Sequence, residues 1–279
     1  SSNNVAIGFR ALSVENEGDR SVAIGYDSLR NQNTSGNVYN VAIGFQSGMS
    51  ITTAVDNTIM GGLAGDALTT GSDNVAIGKS ALSTEDTGSH NVAIGNEALQ
   101  DLNYNGNGYN TAIGSRAGAN VTTGTLNTIV GGLAGDALTT GAENVAIGYA
   151  ALSAEDEHGK NVAVGYLSLS SQNAGADAYN VAVGHKAGED ITTGVQNTIT
   201  GGLAGDALTT GSDNIAIGYG ALSTEDTGDR NVAIGKAALF NQNYDGSAYN
   251  VAIGYEAGAN VTTGFKNTII GGLAGDAIT

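Results

Sequence analysis

Apolar and polar positions alternate along this chain in short bursts, of which Asn74-Val75-Ala76-Ile77-Gly78 is representative. Val75 and Ile77 flank Ala76 with the period of two that marks a β-strand. A glycine then closes the burst, as expected where the backbone bends at positive φ or passes close to another segment. Each apolar run is too short for a helix and is cut by glycine. Close copies start at Asn4, Ser21, Asn40 and Asn57, at Asn74, Asn91, Asn110 and Asn127, at Asn144, Asn161, Asn180 and Asn197, and at Asn214, Asn231, Asn250 and Asn267. The steps are 17, 19, 17 and 17 residues, and this pattern recurs every 70. Self-similarity at fixed period takes precedence over a domain count from length. The chain therefore reads as one array over 1–279, in groups 4–73, 74–143, 144–213 and a truncated 214–279, and as a fragment of a longer fibre.

The four copies of a group differ after the strand. The first continues with an Ala-Leu pair (Ala81-Leu82) and turn-forming residues up to His90. The second carries two extra residues in a polar loop, closed in the four groups by Tyr39, Tyr109, Tyr179 and Tyr249, with Tyr104 and Tyr244 as further aromatics in two of them. In the third and fourth, leucine gives way to glycine (Gly48, Gly65) and an apolar residue follows three places later (Ile51, Leu68). Copies of this length, each with one strand and two turns, fit single coils of a parallel β-solenoid in which like residues stack about 4.8 Å apart. The expected fold is all-β, with sixteen coils, an asparagine ladder broken only at Ser21, and a glycine ladder on the bend.

If Val and Ile of each burst face the coil's interior, the residue between them faces outward. That position reads Ala6, Ala23, Ala42, Ile59, then Ala76, Ala93, Ala112, Ile129, then Ala146, Ala163, Ala182, Ile199, and Ala216, Ala233, Ala252, Ile269. A strand facing water would carry Thr, Lys or Glu there, so these residues are expected to pack between chains, most simply in a homotrimeric rod.

The repeated Asn-Val-Ala-Ile-Gly resembles the head repeat of trimeric autotransporter adhesins, a left-handed parallel β-roll that trimerises. The longer phrase Asn-Val-Ala-Ile-Gly-Tyr-x-Ala-Leu, with Thr-Thr-Gly-x-x-Asn-Thr-Ile between copies, is similar to repeats of phage tail fibres and bacterial surface fibres. This resemblance implies an extracellular location, at a cell surface or on a virion, and a structural role as shaft or head in attachment. Two alternatives stand beside it. The tyrosine-bearing loops could bind glycans or proteins of a host or other surface directly, or the chain could be a subunit of a self-assembling extracellular filament.

Composition narrows the chemistry. Ten Lys and Arg against twenty-seven Asp and Glu give a net charge of −17, which supplies no basic stripe for nucleic acid. There is no cysteine, and no apolar run approaches the length of a membrane span, so no membrane insertion is expected in this segment. The segment Gly61-Gly62-Leu63-Ala64-Gly65-Asp66 echoes calcium-binding β-roll repeats. Its aspartates Asp66, Asp136, Asp206 and Asp276 stand 70 residues apart, too far to share an ion, and no cofactor is expected. Glu15, Glu85, Glu155 and Glu225 recur at one phase, and the basic residues Arg20, His90, Lys160 and Arg230 at another, where a salt bridge to an acid is expected. No nucleophile–base pair recurs, so the chain is not expected to be an enzyme.

Overall fold

A computed structural model describes residues 1–279. The chain is an all-β parallel solenoid of sixteen coils without any helix, and its residues fall into two compact units, Ser1–Ala142 and Glu143–Thr279. The first unit stacks eight three-residue strands in chain order: Val5–Ile7, Val22–Ile24, Val41–Ile43, Thr58–Met60, Val75–Ile77, Val92–Ile94, Thr111–Ile113 and Thr128–Val130. The second stacks Val145–Ile147, Val162–Val164, Val181–Val183, Thr198–Thr200, Ile215–Ile217, Val232–Ile234, Val251–Ile253 and Thr268–Ile270. Register follows the sequence repeat, as in Val75↔Val92, Ala76↔Ala93 and Ile77↔Ile94. A two-stranded pairing of Gly18–Asp19 with Gly36–Asn37 joins neighbouring coils at a second place.

Strands stay short because the glycine after each one adopts φ between 127° and 145°. A methyl group there would also collide with the next coil: at Gly78 it would lie 2.2 Å from the carbonyl oxygen of Gly95. The turn that follows alternates left-handed residues, for example Glu97 (φ 58°) and Leu99 (φ 47°). Its backbone still bonds from coil to coil, as in Leu82 N–H to Ala98 C=O at 3.0 Å. Leu82 and Gly48 occupy equivalent left-handed positions, so the leucine-to-glycine exchange leaves the backbone path alone and changes only what fills the interior.

The asparagine ladder links successive coils, and in many of them also closes the coil itself. Asn74 Nδ2 donates to the Gly88 carbonyl at 2.8 Å in its own coil, and its Oδ1 accepts the N–H of Asn91 at 2.9 Å from the next. The side chain is fully buried. Ser21 lacks the amide, and its Oγ accepts from the buried amide of Gln32 at 2.9 Å; Gln172 and Gln242 hold the same position in coils that keep the asparagine.

The strand faces are the reverse of the expectation from sequence. Ala23, Ala42, Ile59, Ala76, Ala93, Ala112, Ile129, Ala146, Ala163, Ala182, Ile199, Ala216, Ala233, Ala252 and Ile269 all point into their own chain and are buried, and only Ala6 is exposed. They are core residues, so they do not pack between chains. The reason is volume. Within a coil this narrow, alanine leaves room for the leucine of the turn, as Ala76 does for Leu82. Isoleucine takes the strand centre only in the fourth coil, where the turn leucine is glycine; in the third coil, where it is glycine as well, the centre stays alanine and Leu29, Ile51 and Ile59 meet the space beside Gly48. At Gly65 an added methyl would lie 3.2 Å from Ile59 Cδ1, which fills the vacated space. The isoleucines thus fill the interior in place of leucine and plug no external axis.

Candidate functional site: the outer strand face and its flanks

Because the central residue of each strand points inward, its two neighbours point out. These positions carry only Val, Ile, Thr or Met in all sixteen strands, and none is charged. Their exposure in the interior coils is partial, since each is flanked by its counterparts in adjacent coils: Ile113 is 38% exposed and Ile217 is 37% exposed. Parallel strands with apolar side chains on both faces are ordinarily covered on both. Here one face is covered by the chain itself and the other is an uncharged, β-branched surface within an acidic protein.

A second apolar row lies one residue beyond the ladder glycine. Phe9, Tyr26 and Phe45 stack with centroids 5.4 Å apart at each step. Tyr149, Tyr166 and His185 repeat the arrangement at 5.7 and 5.3 Å. In the last group Lys236 lies over Tyr255 at 5.5 Å, whereas residues 74–143 place Lys79, Asn96 and Ser115 in this row.

The loop-closing tyrosines each lie on the basic residue of the preceding coil. Arg20 is 5.5 Å from the Tyr39 ring, His90 stacks on Tyr109 at 5.1 Å, Lys160 is 5.4 Å from Tyr179 and Arg230 is 5.7 Å from Tyr249. The rings are about half exposed, and the cation occupies one face of each. Tyr104 and Tyr244 instead contribute backbone N–H groups to buried glutamates, and the Tyr244 ring stacks on Phe265 at 5.4 Å. The basic residues also meet acids of their own chain: His90–Asp73 at 3.8 Å, Lys160–Asp177 at 2.5 Å and Arg230–Asp213 at 3.5 Å. The hydrogen-bonded Asp177 raises the Lys160 ammonium above its ordinary range, and its own carboxyl is held low in turn.

The recurring glutamates serve a different purpose. Glu85, Glu155 and Glu225 are fully buried, at the coil phase that Ile51 and Leu68 occupy elsewhere. Glu85 accepts N–H groups from Gly88 at 2.7 Å, Thr87 at 3.2 Å and Tyr104 at 3.0 Å, so it caps its own loop and pins the next one. Burial raises the pKa of all three carboxyls despite these bonds. Asp66, Asp136 and Asp206 are raised for the same reason.

A carboxyl with a raised folded pKa holds its proton in the native state at pH values where the unfolded chain has lost it. Stability from these six groups is therefore greatest below the ordinary carboxylate range and falls as pH rises through their raised values. The exposed carboxyls of Asp19 and Asp177, shifted the other way, oppose this only in part. Thermal midpoints are expected to rise as pH is lowered through the interval just above the ordinary carboxylate range. Glu85→Gln should flatten that slope, and a midpoint that falls steadily over the interval would contradict the assignment.

None of Asp66, Asp136, Asp206 and Asp276 falls in a cluster of three potential metal ligands. Asp136 faces Arg116 at 3.7 Å, and Asp276 accepts from Asn260 at 2.8 Å. No helix of the chain is long and apolar enough to cross a membrane. Comparison with known family models, with curated proteins and with solved structures returns no match to this chain.

Proposed function

We propose that this chain is a structural segment of an extracellular or virion fibre, in which three copies pack through their outer strand faces and hold an attachment function at a distance. The observation carrying this reading is the outward rows, mostly valine and isoleucine with threonine in places, which hold no charge although the rest of the chain is strongly acidic. Outward Val, Ile or Met side chains recur in fifteen of the sixteen coils, the strand Thr198–Thr200 being the exception, and an uncharged, largely apolar face repeated in this way marks an interaction site. Identical chains offer a partner with the same repeat and the same pitch, so contacts made by one coil recur at the next. The resemblance of Asn-Val-Ala-Ile-Gly to trimeric β-roll fibre repeats supports the same stoichiometry. The structural role also fits a chain whose polar side chains are spent on ladders, caps and stacked pairs.

The double substitution Ile94→Lys with Ile113→Lys tests the packing. Each lysine would sit at an outward position of one coil, so the coil's own core is left intact. Burying an unpaired ammonium between chains is strongly unfavourable. The expected outcome is a soluble species of lower mass with its β-sheet circular dichroism retained. An unchanged assembly mass would mean that this face is free. Glycan arrays probed with the intact assembly address the adhesive alternative: a spacer retains no ligand, whereas binding lost on Tyr109→Ala would favour the loops.

A further inference from the structure

We propose that Glu155, Asp156 and His158 form a binding site for a divalent first-row transition cation such as zinc. One donor atom from each residue lies within 4.8 Å of the other two, and the Glu155 side chain is fully buried. The site arises from a single departure from the repeat. His158 stands where the other groups have Gly18, Gly88 and Gly228. Those glycines press on the capping glutamate so closely that an added methyl would lie 2.6 Å from Glu85 Cδ at Gly88 and 2.4 Å from Glu225 Cδ at Gly228.

With histidine in that slot, the cap loosens. The N–H of His158 reaches Glu155 Oε1 at 3.3 Å, against 2.7 Å from Gly88 to Glu85 and 2.8 Å from Gly228 to Glu225. Ala174 N–H lies 3.4 Å from Glu155 Oε2. In exchange, His158 Nδ1 comes within 3.7 Å of Glu155 Oε1, sealed from solvent and without a hydrogen-bond partner. A buried ring nitrogen in that state calls for a ligand.

The donor set fits a transition cation. Zinc binds imidazole nitrogen and carboxylate oxygen at about 2.0–2.2 Å, which places tetrahedral ligands about 3.3 Å apart. The imidazole–glutamate separation needs to shrink only slightly to meet this, and an oxygen of Asp156, whose Oδ1 also accepts the Glu157 N–H at 2.7 Å, lies within 4.8 Å of both. Three protein donors leave the fourth position to water. Imidazole favours this class of cation over calcium or magnesium, which take oxygen. The nearby ammonium of Lys160 is engaged by Asp177, whose other oxygen accepts the Gly159 N–H at 3.3 Å.

The test is equilibrium dialysis and calorimetry of the intact chain with Zn²⁺ in a non-chelating buffer, alongside His158→Gly and Glu155→Gln. His158→Gly restores the glycine of the other groups, so it is expected to fold at least as well, which its thermal midpoint without metal checks. One zinc per chain is expected, with affinity at least about tenfold weaker in both variants. Zinc should raise the thermal midpoint of the parent and leave that of His158→Gly unchanged. Failure of the parent to bind, equal binding by His158→Gly, or a site lost instead on His90→Ala or His185→Ala would overturn the assignment.

Discussion

Gly78→Ala is expected to destabilise the array by about 3–5 kcal/mol, among the largest effects a single methyl group can have here. Two causes combine. At φ 135° an alanine is strained whatever the space around it, at about 1–3 kcal/mol. Its Cβ would also lie 2.2 Å from the Gly95 oxygen and 2.5 Å from the Gly95 carbon, which are backbone atoms that cannot turn aside. The coils must separate, and the bond from Gly95 N–H to Ile77 C=O at 2.7 Å weakens with them. Gly62→Ala is the matched control, because a methyl group there meets nothing within 4 Å. Thermal denaturation followed by circular dichroism should show a large drop for the first and almost none for the second. Similar midpoints for the two would refute the close-approach explanation of the glycine ladder.

Asn74→Ala comes next. The amide joins two buried backbone groups that have no access to water: the Gly88 carbonyl of its own coil and the Asn91 N–H of the next. Leaving each unsatisfied costs about 1–3 kcal/mol, so a loss of about 2–6 kcal/mol is expected. At Ser21 the hydroxyl oxygen accepts from Gln32 Nε2. In the coil of Asn74 the position equivalent to Gln32 is Glu85, a carboxylate already bound to its own loop. Chemical denaturation should place Asn74→Ala well below the parent, and a midpoint shift within error would mean that water replaces the amide.

These two ladders were legible in the sequence because they are strictly periodic: stacking brings each residue against its own copy, so Asn meets Asn and Gly meets Gly. The direction of the strand faces was not legible from alternation alone. An alternating Val-Ala-Ile triplet is compatible with either face inward, and bulk suggested Val and Ile as core. A signal lay in paired volumes along the coil, since Ile59, Ile129, Ile199 and Ile269 appear only where Gly65, Gly135, Gly205 and Gly275 replace the turn leucine. The burial of the glutamates was not legible for a related reason. Glu85 lies among Ser, Thr and Asp and looks solvated, yet it shares its phase with Ile51 and Leu68, which are core residues.

The pairing of Tyr109 with His90 could have been found by phase as well. Each immediately precedes a ladder asparagine, one coil apart, and both take the left-handed conformation at φ 50° and 61°. Basic and aromatic residues that share a phase in successive coils must meet. The metal cluster depended on an exception to the repeat, and periodicity by itself gives no weight to one histidine in place of a glycine.

The reversal of the faces removes the alanine rows from any contact between chains and leaves the larger valine and isoleucine side chains on the outer face. The case for association rests on that uncharged outer surface. Light scattering coupled to size exclusion, run on the purified chain over a range of concentrations, tests it most directly. A stable species of three chain masses that persists on dilution is expected, and a soluble monomer with intact β-structure would contradict the association.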